Sequence, residues 1–270
     1  MEHMDLIIVA GQSNAVGFDT RAEELPPNPT DTDILFHFDC GEPPYDNGLH
    51  NSSSRGAWLT LGAQPQGNAA ANKPNFRNAA GGFGPEIGIA RTLHHAGLTR
   101  LAVLKFAYSA TGFCPGHWNP GDPLHRGLVE RYGAAVTALA GKGHAARLRA
   151  VFWHQGESDA NALGEYPARL QAFIDDLRRR WAAPDLPFVI SVSTEKWAHN
   201  RVVGEVQRTF AETAHRVAYV NDLGCGLHPS GHYDSAGTLE IGVRMGQAFL
   251  RFDRKNQGIA TMKGVKGHEG

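Results

Sequence analysis

Short apolar runs alternating with amphipathic stretches constrain the fold of this chain more than any other feature. Five runs, Asp5–Ala10, Leu101–Ala107, Leu148–His154, Pro187–Ser193 and Arg216–Val220, are apolar nearly throughout. Strands covered by helices on both faces read this way. The segments between them carry helical signals. Pro85, at a first-turn position, opens one with Ile87, Ala90 and Leu93 on one side and Gly97 at its close. A second holds Tyr166, Leu170, Phe173, Ile174, Leu177 and Trp181 at helical spacing, so Trp181 belongs to the core and Arg178-Arg179-Arg180 to a solvated, dipole-favoured last turn. A third begins near Ser235 and carries Leu239, Ile241, Val243, Met245 and Phe249. The alternation predicts a three-layer α/β/α architecture on a five-stranded parallel sheet.

One stretch breaks the pattern. From Phe18 to Phe83 the chain is rich in Pro, Asn, Gly and Ser, with little periodicity. A structureless loop of that length is uncommon inside a compact domain, so it reads as an insertion of hairpins and loops over one end of the sheet, after the first strand. No repeat and no interdomain linker interrupts the rest. The expectation is a single domain over 1–270, with a tail from about 254 to 270 after the last helix.

Composition excludes several classes. The longest uninterrupted apolar run is Leu6-Ile7-Ile8-Val9-Ala10, far short of the ~18 residues that suggest a membrane span. With 26 Lys+Arg against 27 Asp+Glu there is no electrostatic reason to expect nucleic acid or an acidic lipid surface. Cys40, Cys114 and Cys225 are widely spaced and lack CxxC or Cys/His zinc spacing. Each reads as a small buried hydrophobe, with one disulfide as the alternative. Met1-Glu2-His3-Met4 has no charged-then-apolar leader pattern; the compartment stays open between the cytoplasm and export with a leader removed. Oligomeric state is not legible.

In an open parallel sheet, ligands bind beyond the carboxyl ends of the strands. The residues following each run are therefore the candidates: Gly11-Gln12-Ser13-Asn14 after the first, Tyr108 through Gly112 after the second, and His154-Gln155-Gly156-Glu157-Ser158-Asp159 at the third. Thr194-Glu195-Lys196-Trp197 follow the fourth, and Asp222 through Asp234, with His228 and His232, the fifth. A serine, carboxylates and histidines on one edge suggest a nucleophile, an orienting acid and a base. A serine hydroxyl needs a base to become a nucleophile. The alternative for Ser13 is a plain helix cap.

Val9-Ala10-Gly11-Gln12-Ser13-Asn14 resembles the nucleophile block of SGNH hydrolases, in the branch containing carbohydrate esterase family 6 and sialic-acid-esterase-like proteins. His154-Gln155-Gly156-Glu157-Ser158-Asp159 resembles a second hallmark of that branch. Gly84-Pro85-Glu86 and His232-Tyr233-Asp234-Ser235-Ala236-Gly237, with Gly242 downstream, are further echoes in the family's order. The resemblance implies a flavodoxin-like SGNH fold, no cofactor and no metal. It implies Ser13 as nucleophile, His232 as base and Glu157 as the acid orienting it. Oxyanion donors would be the Ser13 N–H, the Gln155 amide and an N–H at Ala110 or Ser109. Here the family's Gly-Gly-Thr is replaced by Ser109-Ala110-Thr111, and a left-handed Ala110 would cost about 1 kcal/mol. The family's Asp-x-x-His is also altered, since Pro229 stands at the aspartate position before His232. His228 is the competing base; Asp222 and Asp234 are fallback acids, Asp234 also reading as a cap of the last helix. His228 and His232 are four apart, but Pro229 and Gly231 between them argue against the continuous helix that would enforce joint metal ligation. The loop after the first run lacks both the GxGxxG and the GxxxxGK[ST] spacing of phosphate cradles.

By resemblance, the substrate is an O-acetylated carbohydrate of the acetylxylan type, with sialic acid O-acetyl groups or simple short-chain esters as alternatives. Gln12, Trp58 and Trp118 are the candidate substrate contacts, each tryptophan having local packing as its alternative role. A binding protein that kept the fold and lost catalysis is the reading from another class, resting on the altered Asp-x-x-His and Gly-Gly positions.

Overall fold

The computed structural model describes residues 2–41, 52–67 and 76–265. Residues 42–51 and 68–75 of the expected insertion, and the tail from 266, lie outside the described residues. Among the described residues eight strands form one sheet, in the order β3-β2-β5-β1-β6-β7-β8 with β4 also on β2. The five predicted runs appear as β1 (Glu2–Gly11), β5 (Leu101–Tyr108), β6 (His144–His154), β7 (Phe188–Ser191) and β8 (Val217–Tyr219). All pair in parallel.

The expected strand count is corrected by the insertion. Its β2 (Leu35–Gly41) pairs in parallel with β5, making a sixth parallel strand, and the short β3 (Ser52–Ser53) and β4 (Leu59–Thr60) pair antiparallel with β2. The alternation in β2 is half polar, which hides it among loop residues. Phe36 and Phe38 face the core, while His37 meets the Ala57 carbonyl at 3.1 Å and Asp39 accepts from Tyr108 at 3.0 Å and Arg131 at 2.8 Å.

The strand period of two sorts side chains into two cores, one on each face. Ile7 and Val9 of β1, with Val103, Phe152 and Phe36, pack under α2 (Glu86–His95) and α6 (Ser235–Val265). Leu6, Ile8 and Ala10, with Leu104, Val151 and Trp153, pack under α3 (Pro123–Gly141) and α4 (Tyr166–Arg180), with α5 (Ala198–Thr213) beside them. The segment read as a tail from 254 continues α6 as far as Val265. Trp153 is buried, and Trp181 packs on Tyr132 with ring centroids 4.6 Å apart. Cys40 and Cys225 are buried, the Cys40 thiol donating to Gln64 at 2.9 Å, whereas Cys114 is exposed, which corrects its expected burial.

A buried ion pair sits under the first turn after β1. Lys105 of β5 and Glu86 at the start of α2 are both fully buried and 3.0 Å apart. Lys105 Nζ also donates to the Val16 carbonyl at 2.8 Å, at the end of the short helix α1 (Ser13–Val16). The same Glu86 oxygen accepts from the Gly84 N–H and the Gln64 amide. Such a pair is costly to break on one side, because the remaining charge stays buried. Lys105→Met should therefore destabilise the protein by about 3–5 kcal/mol in denaturant unfolding, and adding Glu86→Leu should recover a large part of that loss. Equal destabilisation in the single and double variants would refute the pairing as the source.

Candidate active site

The site is built on the turn leaving β1. Gly11 has φ 139°, and a Cβ there would lie 2.0 Å from the His154 carbonyl oxygen, so only glycine allows β1 and β6 to end this close together. The Gln12 N–H donates to that carbonyl at 3.0 Å. Ser13 is then the first residue of α1; Gln12 holds the N-cap position, and no side chain caps the helix. The capping role for Ser13 is thereby replaced. Its N–H heads a first turn, where helix geometry leaves it without an intrahelical acceptor.

Ser13 Oγ lies 3.0 Å from His232 Nε2, and His232 Nδ1 lies 2.8 Å from an oxygen of Asp19. A carboxylate at Nδ1 fixes the tautomer: Nδ1–H donates, leaving Nε2 to accept from the serine hydroxyl. The carboxylate facing His232 is thus Asp19, not Glu157. Asp19 also accepts from the Ser230 hydroxyl and from Arg77. Burial pushes its carboxyl up, but the hydrogen bonds from His232, Ser230 and Arg77 outweigh this and hold it well below the usual carboxylate range. The turn bearing Asp19 is pinned by the buried Thr20, whose hydroxyl donates at 2.7 Å to the Gly17 carbonyl and accepts from the Phe83 N–H at 2.8 Å.

Glu157 stands nearby in a different role. It accepts from the Asn14 amide at 3.1 Å and the Ser193 N–H at 3.2 Å, with His154 Nε2 at 3.5 Å. Burial raises its carboxyl, but His154 and the Asn14 amide outweigh it, so the group is lowered from its ordinary value. The other end of the Asn14 amide accepts the Tyr233 N–H at 3.1 Å. Glu157 therefore reaches the His232 loop through Asn14.

The remaining candidates separate clearly. His228 lies 3.5 Å from the same Asp19 oxygen that His232 contacts, but it is His232 that lies 3.0 Å from Ser13 Oγ. Asp222 is buried and accepts the Thr194 N–H at 2.8 Å, tying down the loop after β7. Asp234 accepts the Gly237 N–H at 2.7 Å and caps α6. Gln155 is buried, and its amide N–H groups are spent on Asp159 at 2.7 Å, Thr111 O at 3.2 Å and Gln12 Oε1 at 3.3 Å. This corrects its expected role as a donor to the reacting oxygen. Ala110 adopts the left-handed conformation with φ 57°, and neither it nor Ser109 is among the residues lining the cavity at Ser13. Trp58 and Trp118 are core residues rather than substrate contacts. Trp58 donates to the Ala135 carbonyl, and Trp118 donates to Thr111 Oγ1 and packs edge-on against Trp153.

Gln12 does face the cavity. Its Oε1 accepts from the Gly156 and Ser158 N–H groups and from Gln155. Because all three partners are donors, the amide orientation is chemically fixed and its own NH₂ is directed elsewhere. The cavity at Ser13 has a volume of about 150 Å³ and is walled by Gln12, Asn14, Glu157, Trp197, Asn200 and His232 among others. That is below the ~300–1,000 Å³ of sites for drug-sized ligands, and suits a short acyl group. A larger cavity, about 900 Å³, lies between α5 and β8 and contains none of Ser13, Asp19 or His232. Among the described residues no group of three or more His, Cys, Asp or Glu side chains is arranged to hold a metal ion, and no helix is long and apolar enough to cross a membrane.

Two residues that sequence reasoning missed belong to this site. Asp19 falls in the aperiodic insertion, six positions after Ser13; the sequence signal was Pro229, which removes the usual acid and requires one from elsewhere. Trp197 was visible only as a residue following the fourth strand.

The profile of the family described as carbohydrate esterase, sialic acid-specific acetylesterase, matches residues 3–251. No curated protein matches the chain. Among solved structures, a protein of Arabidopsis thaliana superposes with a TM-score of 0.67 at 18% identity, over 92% of this chain and 98% of that one. A carbohydrate acetylesterase from Xanthomonas citri superposes with a TM-score of 0.53 at 15% identity, over 90% of this chain and 55% of that one. At these identities the structures speak to the fold, which they share, and the profile match over nearly the whole length speaks to descent. The chain belongs to the carbohydrate esterase family of sialic acid-specific acetylesterases, a family of carboxylic ester hydrolases.

Proposed function

We propose that the protein is a serine acetylesterase that removes O-acetyl groups from a neutral carbohydrate, acetylxylan-like in type, through an acyl-enzyme on Ser13. The observation carrying this reading is the continuous contact from Ser13 Oγ to His232 Nε2 and from His232 Nδ1 to Asp19. His232 takes the serine proton as the hydroxyl attacks the acetyl carbonyl. Asp19 holds the ring and its tautomer and balances the imidazolium charge. The imidazolium then gives its proton to the departing sugar oxygen as the ester C–O bond breaks, and His232 next takes a proton from the water that attacks the acyl-enzyme and returns it to Ser13 Oγ as acetate leaves. The Ser13 N–H and the Gln12 amide are the donors best placed to meet the oxyanion, with Gln155 supporting Gln12 from behind. Glu157 positions the nucleophile turn and the His232 loop through Asn14.

A neutral sugar is favoured by the charges around the cavity. Among the described residues its lining includes the Glu157 carboxylate and neither Arg nor Lys. Arg77 is committed to Asp19. A sialic acid carboxylate would find no Arg or Lys in that lining and would face the Glu157 carboxylate.

Ser13→Ala and His232→Ala should abolish acetate release from acetylated xylan, while His228→Ala should retain most of it. An unchanged rate in Ser13→Ala would end the proposal, and faster release from 9-O-acetyl sialic acid than from xylan would overturn the substrate class. The two carboxylates can be told apart by turnover. Asp19→Asn should lower kcat by roughly 10⁴-fold, the scale for loss of a triad carboxylate, and Glu157→Gln should cost far less. The reverse order would restore Glu157 as the orienting acid.

Glu157 also predicts a pH dependence of stability. Its carboxyl titrates below the ordinary 4.5 in the folded protein, so its charge stabilises the fold above that pH and this contribution is lost as pH falls through the folded value. The stability deficit of Glu157→Gln relative to the native protein should therefore be largest near neutrality and shrink below about pH 4. A deficit that stays constant across that range would show that the charge contributes nothing.

A further inference from the structure

Trp197 is one of few large apolar side chains left open to solvent among the described residues, at 45% exposure. It lies in the wall of the cavity that holds Ser13 and His232. An apolar surface of this size, exposed at the mouth of a polar cleft, is the usual sign of a ligand contact.

The ring is held in place from several sides. Gly231, the neighbour of His232, has φ 103°, and a Cβ there would lie 2.6 Å from the Trp197 indole nitrogen. The indole therefore rests directly on the backbone that carries the catalytic imidazole. Lys196 donates to the Pro229 carbonyl of that same loop, and its ammonium lies 5.6 Å from the Trp197 ring centroid. On the other side, Asp222 anchors Thr194 through both its N–H and its hydroxyl, and the Trp197 carbonyl accepts the Asn200 N–H at 3.0 Å in the first turn of α5. His199 adds a second flat ring to the same wall, 6.0 Å away between centroids and within 20° of parallel. An aromatic face fixed in this way before ligand arrives avoids most of the ordering cost of binding.

We propose that Trp197 is the specificity-determining platform of this cleft: the apolar C–H face of the acetylated pyranose packs on its indole while the acetyl group is presented to Ser13. The proposal rests on the acetyl-carbohydrate esterase reading above. A pyranose has one face dominated by C–H groups and a rim of hydroxyls. The hydroxyl rim would then turn towards the polar groups opposite, Asn14 and Asn200 among them. A simple acetate ester has no ring to place there, so Trp197 separates sugar esters from small esters without taking part in the chemistry.

The test compares two substrates in three proteins. Native enzyme, Trp197→Ala and Trp197→Phe are assayed on a per-O-acetylated methyl xylopyranoside and on ethyl acetate, which lacks a ring. Trp197→Ala should lower the ratio of kcat/KM on the pyranoside to kcat/KM on ethyl acetate by roughly tenfold, the additional loss on the pyranoside falling mainly on KM, and Trp197→Phe should restore much of that ratio. Equal losses on both substrates, or no loss on the pyranoside, would overturn the platform while leaving the esterase reading intact. A native enzyme that hydrolyses ethyl acetate but not the pyranoside would overturn the carbohydrate reading and the platform with it.

Discussion

The site depends on how closely β1 and β6 finish beside one another. At Gly11 the backbone passes so near the His154 carbonyl that no side chain fits, and the Gln12 N–H closes the gap with a hydrogen bond. That approach joins two polar segments that are more than 140 residues apart in the chain. Once they meet, the side chain of Gln12 accepts two N–H groups of the β6 turn, and the Asn14 amide donates to Glu157. These contacts are buried, where an unmade hydrogen bond costs more than a made one gains. The turn carrying Ser13 therefore has little freedom to shift, and the position of its hydroxyl follows from the strand pairing.

The histidine is delivered separately, from the loop between β8 and α6, and needs its own register with the serine turn. Two links provide it. One runs from Asn14 to the Tyr233 N–H, next to His232, and is backed by Glu157. The other runs from Asp19 to His232 itself. Both begin within a few residues of Ser13, so the segment that carries Ser13 also carries the contacts that align His232 with it. Pro229 cannot supply a carboxylate to His232, and the carboxylate that meets its Nδ1 is Asp19, from the segment after Ser13.

The parts of this arrangement that were legible in the sequence are those fixed by local pattern. The five runs are apolar on both faces because helices cover both faces, and they form the strands expected of them. The β2 strand was not legible, since His37 and Asp39 are buried polar residues satisfied by side chains far along the chain. Ser13 and His232, which the structure brings within 3.0 Å of one another, stand out as candidates in the sequence because each sits in a recognisable block. Asp19 was not, because its role depends on a tight turn at Gly17–Thr20 held by Phe83, a contact across 63 positions. The tryptophans make the same point. Trp58, Trp118 and Trp197 are chemically identical in the sequence, and only packing decides that two are core and one is exposed.

Charge balance explains why Asp19 can be buried at all. Its side chain is fully covered, whereas Arg77 beside it is half exposed, so the carboxylate has a cation against it independently of the imidazole. An isolated buried carboxylate would be driven towards its protonated form, and a protonated acid could not fix the imidazole tautomer. Arg77 is held in turn by its N–H to the Phe18 carbonyl at 2.8 Å and by its guanidinium lying 5.4 Å from the Phe18 ring centroid. The same ring sits 5.1 Å from the His232 imidazole. On the mechanism proposed above, Asp19 would face two cations once the imidazole took the serine proton, so orienting the ring, for which the three donors converging on the carboxylate serve better than one, would carry more of its contribution than charge balance.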